Sequence, residues 1–251
     1  MDTDIEVLAE GPFGAERVRV TWVHGPAVMS SAAREMVQRR WAHYEQEAQA
    51  AGKSLFDGKI TRLIAAEREG NTLELTMGPA TYSEFVVSTL RDRMWFMANE
   101  PAAMVAATGN SVLITQGDGA ILGVRSRRVS AYAGRAHLFG GVLDLLSGGG
   151  RSAAGLVEHL ERELREELSL IREELVGEPR LLAVVRDEFL MQPELIWQWE
   201  THAALADVAQ RVDPHEHDGV VMLGRERPGA EVWAQMTPVA RAAWLGWQKM
   251  P

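Results

Sequence analysis

The residues of this chain best suited to chemistry are Glu163, Glu166 and Glu167, inside the run Leu156-Val157-Glu158-His159-Leu160-Glu161-Arg162-Glu163-Leu164-Arg165-Glu166-Glu167-Leu168. Leu156, Leu160, Leu164 and Leu168 recur at i, i+4, which predicts a helix buried along one stripe. At about 100° per residue the glutamates fall within an arc of roughly 100°, so their carboxylates can converge beside one ion. Like charges gathered this way repel, and oxygen donors without histidine or cysteine suit a hard divalent cation, Mg2+ or Mn2+. A plainer reading fits the same spacing. A Glu/Arg-rich helix face is ordinarily solvated, with Glu158–Arg162 and Glu161–Arg165 as weak i, i+4 pairs.

A second set of charges lies upstream. Arg125, Arg127, Arg128 and Arg135 form a basic tract with no acidic residue between Asp118 and Asp144. In a strand, Arg125 and Arg127 share a face and Arg128 points the other way, so only part of the set can serve one phosphate site. A strand edge kept from aggregating by its charges explains the tract equally well. The tetrapeptide His215-Glu216-His217-Asp218 reads as a polar loop after Pro214, and its His-X-His lacks a third zinc partner. Trp197 and Trp199 share one face of a predicted strand, where core packing is their expected role.

The elements that must hold these groups mix sheet and helix. Val18, Val20 and Trp22 alternate with Arg17, Arg19 and Thr21, predicting a half-buried strand within residues 15–24. Met36, Val37, Trp41 and Tyr44 mark an amphipathic helix over residues 31–51, ended by Gly52. Residues 60–66 and 73–77, separated by Glu69-Gly70-Asn71, predict a hairpin, and residues 81–93 a short helix. Strands are expected at 104–108 and 111–115, flanking a Gly109-Asn110 turn, and at 120–124, 181–186 and 195–204. The glutamate helix spans about 152–170 after Gly148-Gly149-Gly150. A closing helix over 237–248 puts Val239, Ala243, Trp244 and Trp247 on one side.

Composition narrows the function classes. The chain has 251 residues, 46% of them hydrophobic, enough for one large core with an appended layer. A net charge of −9 offers no global field for a nucleic acid polymer or an anionic membrane. Small phosphate compounds stay eligible, because they respond to local cations and bound metal. The absence of cysteine removes disulfides, thiolate zinc sites and thiol nucleophiles. An acidic start, Met1-Asp2-Thr3-Asp4-Ile5-Glu6, and no run approaching the ~20 apolar residues of a membrane span predict a soluble cytoplasmic protein.

Resemblance gives these observations a common frame. Arg162-Glu163-Leu164-Arg165-Glu166-Glu167-Leu168-Ser169-Leu170 resembles the second half of the Nudix box, Arg-Glu-apolar-X-Glu-Glu-X-Gly-apolar, with Ser169 in place of the glycine. Gly148 stands at the box's first glycine, and Gly140-Gly141 resembles the pair that ends the preceding strand. Ala154 stands where the box has a glutamate, and Phe139 where proline is common. Over about residues 35–205 the chain is similar to the UDP-sugar diphosphatase type of Nudix protein, a branch that tolerates a degenerate box. The similarity lies in the order and spacing of Leu55-Phe56-Asp57-Gly58-Lys59, Thr81-Tyr82-Ser83-Glu84-Phe85, Ser88-Thr89, and Arg125-Ser126-Arg127-Arg128 before Gly134.

The resemblance implies an α/β (α+β) fold: a Nudix-type α/β/α sandwich with a mixed sheet over residues 101–251, and an N-terminal α+β extension, residues 1–100, packed on it. It implies metal-dependent cleavage of a nucleoside diphosphate linked to another moiety, such as a UDP-sugar. Mg2+ or Mn2+ would be held by Glu163, Glu166 and Glu167 and by the backbone carbonyl of Gly140. Arg162 would orient a box glutamate, and the general base would come either from the box or from a later loop, where Glu216 is the candidate; the basic tract Arg125, Arg127 and Arg128 could hold phosphates. Two other readings stay open. One is a catalytically weak Nudix domain that senses a nucleotide-like ligand, favoured by Ala154 and Ser169; the other is a structural homodimer whose acidic helix is merely solvated.

Overall fold

The computed structural model describes residues 4–127, 131–145 and 151–250. The first part of the chain forms β1 (Ile5–Gly14), β2 (Val18–Trp22), α1 (Ser31–Ala50), β3 (Lys59–Glu69), β4 (Thr72–Thr81), α2 (Tyr82–Phe85) and α3 (Arg93–Asn99). There follow β5 (Gly109–Gln116), β6 (Gly119–Arg125), β7 (Ala136–His137), β8 (Phe139–Val142), α4 (Ala153–Leu168), β9 (Leu175–Asp187) and β10 (Gln192–Thr201). The chain closes with α5 (Leu205–Ala209), β11 (His217–Gly224), α6 (Ala230–Gln235) and α7 (Pro238–Gln248).

Among the described residues, eight strands form one mixed sheet in the order β1-β9-β10-β5-β6-β11, with β7 beside β6 and β8 beside β5. β10 and β5 run parallel, in register from Glu194 opposite Gly109 to Glu200 opposite Thr115. Both strands are buried on both faces, which explains the unbroken apolar runs Val112–Ile114 and Leu195–Trp197 at their centres. Side-chain alternation divides them. Val112, Ile114, Leu195, Trp197 and Trp199 join the core under α4, whereas Leu113 and Ile196 join the core under α7. Helices on both faces of a mixed sheet make this an α/β/α sandwich. No helix among the described residues is long and apolar enough to cross a membrane.

The predicted leucine stripe holds: Leu156, Leu160, Leu164 and Leu168 are all fully buried. α4 starts where the Ser152 hydroxyl accepts the Gly155 N–H at 3.0 Å, and it ends on Ser169, whose φ of 49° is left-handed. The same core takes in Leu73, Leu75 and Met77 of β4, so a second, three-stranded sheet, β2-β4-β3, packs over the α4 side.

This small sheet and α1 account for most of the first hundred residues, but β1 belongs to the large sheet. It pairs antiparallel with β9 because Ala9 and Phe13 are buried in the α4-side core. Backbone bonds tie the two parts further. Thr61 N–H donates to Leu143 O at 2.8 Å and Thr108 N–H to Thr61 O at 2.9 Å.

Three local expectations change. Residues 104–108 form no strand, and Gly109-Asn110 is not a turn but the start of β5. Asn110 is fully paired there, its Nδ2 donating to Leu156 O at 2.9 Å and its Oδ1 accepting from Trp197 Nε1 at 2.7 Å. Residues 81–93 are not one helix: a Thr81/Glu84 capping box starts α2, which passes into a π-helical turn, Val86–Arg91, before α3. Replacing a stripe residue tests the central packing. Leu160→Ala is expected to lower unfolding free energy by about 2–5 kcal/mol in urea denaturation, through lost burial plus an unfilled cavity.

Candidate active site

A cavity of about 420 Å3 opens where the end of α4 meets β8, β10 and the segment leading into β11. Glycines clear its floor. A Cβ on Gly109 would collide with the Glu194 carboxylate lying over it, and one on Gly123 with the His217 ring. Gly140 has φ +131°, and a Cβ there would strike the Asn110 carbonyl, so this position demands glycine on two grounds. Polar groups thus lie flat over strands that carry no side chain beneath them.

Glu163, Glu166 and Glu167 form one wall. Arg162 braces the first: its Nη2 donates to Glu163 Oε1 at 3.0 Å and to Asp144 Oδ2 at 2.9 Å. Glu167, 8% exposed, accepts the Gly140 N–H at 3.1 Å and lies 3.3 Å from His217 Nε2. Burial pushes the Glu163 carboxyl up to about 7, the charges of Glu167 and Glu166 add to this, and the Arg162 hydrogen bond opposes it. Burial raises Glu167 too, against His217 and the Gly140 N–H. His159, one turn before Glu163, is held down to about 4, chiefly by burial and then by Arg162. It is therefore neutral at pH 7, with Nε2 donating to Val142 O at 3.3 Å, and offers Glu163 no ion pair.

These carboxylates fit a divalent cation by their chemistry. They supply oxygen donors only, and two of them are held in an environment that disfavours their charge. As they stand, Glu163 turns to Arg162 and Glu167 to His217. Among the described residues no three His, Asp or Glu side chains form a ready cation cage. A cation there would require those side chains to turn toward it.

The rest of the lining is mixed. Arg125 is the only Arg or Lys among the described lining residues; its Nε donates to Ala131 O at 3.0 Å, and burial lowers its pKa from the usual arginine value. Glu194 lies over Gly109 and accepts a short hydrogen bond from Ser111 Oγ. Tyr82, Phe85 and Leu90, from the first hundred residues, complete the lining with Tyr132.

Of the residues singled out in the sequence, Glu163, Glu166, Glu167, Gly140, Glu216 and Arg125 meet at this cavity. Arg127 does not line it: the residue is exposed, with its N–H donating to Asp218 Oδ2 at 3.2 Å. Arg128 lies outside the described residues, as does Gly148. Arg135 is spent on structure, its Nη2 donating to the carbonyls of Ala234 and Met236. His217 is buried at the start of β11 rather than loose in a polar loop, and Trp197 and Trp199 are core, as expected. Sequence reasoning missed Glu194, Ser111, Asp187 and the aromatic pair of α2. The one available signal was a lone glutamate inside the apolar run Pro193–Trp199.

No family model and no curated protein matches the chain in sequence. Among solved structures it is similar to a MutT NUDIX hydrolase from Burkholderia pseudomallei, at 22% identity, covering 56% of this chain and 97% of that one with a TM-score of 0.39. It is also similar to the Nudix hydrolase RenU from M. smegmatis, at 16% identity, 57% and 83% coverage and a TM-score of 0.39. A third is a bifunctional NMN adenylyltransferase/ADP ribose pyrophosphatase from Francisella tularensis, complexed with AMP and a Mn ion, at 15% identity, 60% and 42% coverage and a TM-score of 0.37.

Glu194 supplies a test of the site's electrostatics. Burial pushes its carboxyl up to about 7, Ser111 and then Arg125 oppose this, and Asp187 reinforces it. Between the ordinary carboxylate range and about 7, the folded protein binds a proton that the unfolded chain has released. The ionised group therefore costs stability above about pH 7, and that cost disappears as pH falls. Urea denaturation at pH 5 and pH 8 should show Glu194→Gln gaining on the native protein by roughly 1–3 kcal/mol as pH rises.

Proposed function

We propose that this protein is a metal-dependent hydrolase of the Nudix type that cleaves the diphosphate bond of a nucleoside diphosphate linked to another moiety, with a UDP-sugar as the leading candidate. The observation that carries this reading is the meeting, in one cavity, of three carboxylates from a single helix with one arginine. A solvated helix face has no reason to bury Glu167 or to press Glu163 against Gly141, where a Cβ would come within 2.9 Å of Glu163 Oε2.

Glu163, Glu166 and Glu167 would hold Mg2+ or Mn2+, with the Gly140 carbonyl as a further donor. A divalent cation there supplies an activated water and neutralises charge on the phosphoryl oxygens. Arg162 keeps the Glu163 carboxylate oriented through its second bond to Asp144. Arg125 faces the glutamates and draws the diphosphate across the cavity. Glu216, exposed at the cavity wall, has its backbone carbonyl fixed by the Ser126 N–H at 2.9 Å and can accept the proton of the attacking water. The UDP-sugar assignment rests on the sequence resemblance over residues 35–205.

A second reading, a ligand-sensing domain with little turnover, is favoured by Ala154, which is exposed on the first turn of α4 where the box resemblance calls for a glutamate. The two readings separate in one assay. Nucleoside diphosphate sugars, nucleoside triphosphates and dinucleotides are incubated with Mg2+ or Mn2+ and phosphate products are followed. For a hydrolase, Glu166→Gln and Glu167→Gln, folded as the native protein, should lose on the order of 100-fold in kcat/KM. Metal binding without turnover of any compound would instead mark the sensor.

A further inference from the structure

The cavity holds a carboxylate that hydrolysis, as described, does not use. Glu194 is only 6% exposed, sits in an otherwise apolar stretch of β10, and still lines the cavity. An apolar side chain would pack this strand better, because a buried carboxylate loses its hydration and the one Ser111 hydroxyl that donates to it replaces only part of that loss. Its nearest cation, Arg125, is bonded elsewhere, to Ala131 O. The neighbouring Asp187 is committed to structure: Tyr132 Oη and the Leu190 N–H each donate to it at 2.7 Å, fixing the tyrosine as part of the wall. Tyr82 and Phe85 bring aromatic surface to the same cavity from α2.

We infer that Glu194 is a specificity residue that accepts hydrogen bonds from vicinal hydroxyls on the substrate, and that it selects a diphosphate bearing a neutral polyol over a nucleoside triphosphate. This rests on the hydrolase reading for the place of the diphosphate. Ionised, above about pH 7, Glu194 only accepts hydrogen bonds, and its two oxygens match two adjacent hydroxyls of a glycosyl ring. A terminal phosphate offers anionic acceptor oxygens alone, so Glu194 repels it and leaves it unpaired. Aromatic rings opposite suit the less polar face of a sugar ring. The first hundred residues thereby contribute to substrate choice and not only to packing.

The test compares native protein, Glu194→Gln and Gly109→Ala on four probes: a nucleoside diphosphate hexose, its 2′,3′-dideoxy analogue, the methyl ester of the same nucleoside diphosphate, and the nucleoside triphosphate. Dissociation constants are measured by calorimetry with Ca2+, and kcat and KM with Mg2+. Glu194→Gln should weaken the hexose compound by about 10- to 100-fold in Kd and KM with kcat nearly unchanged, and should tighten the triphosphate. Sparing of the methyl ester assigns the hydroxyls to the hexose and supports the inference; sparing of the dideoxy compound assigns them to the ribose, which the triphosphate shares, and overturns the selection. Gly109→Ala keeps the charge but displaces the carboxylate, and must give the same selective loss even where Glu194→Gln does not fold. Equal losses on all probes, or none, overturn the inference while turnover leaves the hydrolase reading intact. Selective binding without turnover does the reverse, and no binding of any probe overturns both.

Discussion

Burial of the Leu156, Leu160, Leu164 and Leu168 stripe fixes the rotation of α4, and the candidate site depends on that rotation. With those four side chains committed to the core, the next residues around the helix have to face the edge of the sheet. Glu163 and Glu167 point across β8, and Glu166 stays toward solvent at the cavity wall. A change in the helix register of one residue would swing all three carboxylates by about 100° and dissolve the site.

Desolvation is the cost of this placement. The large sheet is apolar on both faces, so any carboxylate drawn toward it is held in an environment that disfavours its charge, as the upward shifts of Glu163, Glu167 and Glu194 show. The protein offsets this locally with Arg162 and the Gly140 N–H, and with Ser111 beside Glu194. Glycine in the flanking strands makes the room. Gly109, Gly123 and Gly140 each remove a Cβ that would meet a polar group or the backbone of a neighbouring strand.

The first hundred residues are part of this arrangement and not an appendage. β1 extends the large sheet, β3 is bonded to the segments around Thr108 and Leu143, and α2 supplies cavity lining. The π-helical turn at Val86–Arg91 follows directly, with the Ser88 hydroxyl accepting the Val105 N–H at 2.9 Å and so locking the turn to the start of the second half.

By itself the sequence determined the features that repeat locally. The leucine spacing defined α4 and the glutamate face, the apolar periodicity located α1, the β3–β4 hairpin and α7, and the run Arg162–Glu167 marked the candidate site. It could not place Glu194, His217 or the α2 aromatics beside that face, because each lies 27 residues or more from Glu163 and Glu167 along the chain and leaves no periodic signal. Nor could it sort the arginines. Arg125 enters the cavity while Arg135 braces α6 and α7 only because β6 and the following loop pair with particular neighbours. β1 was hidden for a similar reason: its burial follows from pairing with β9, about 170 residues or more away, and its own alternation is broken by bulges.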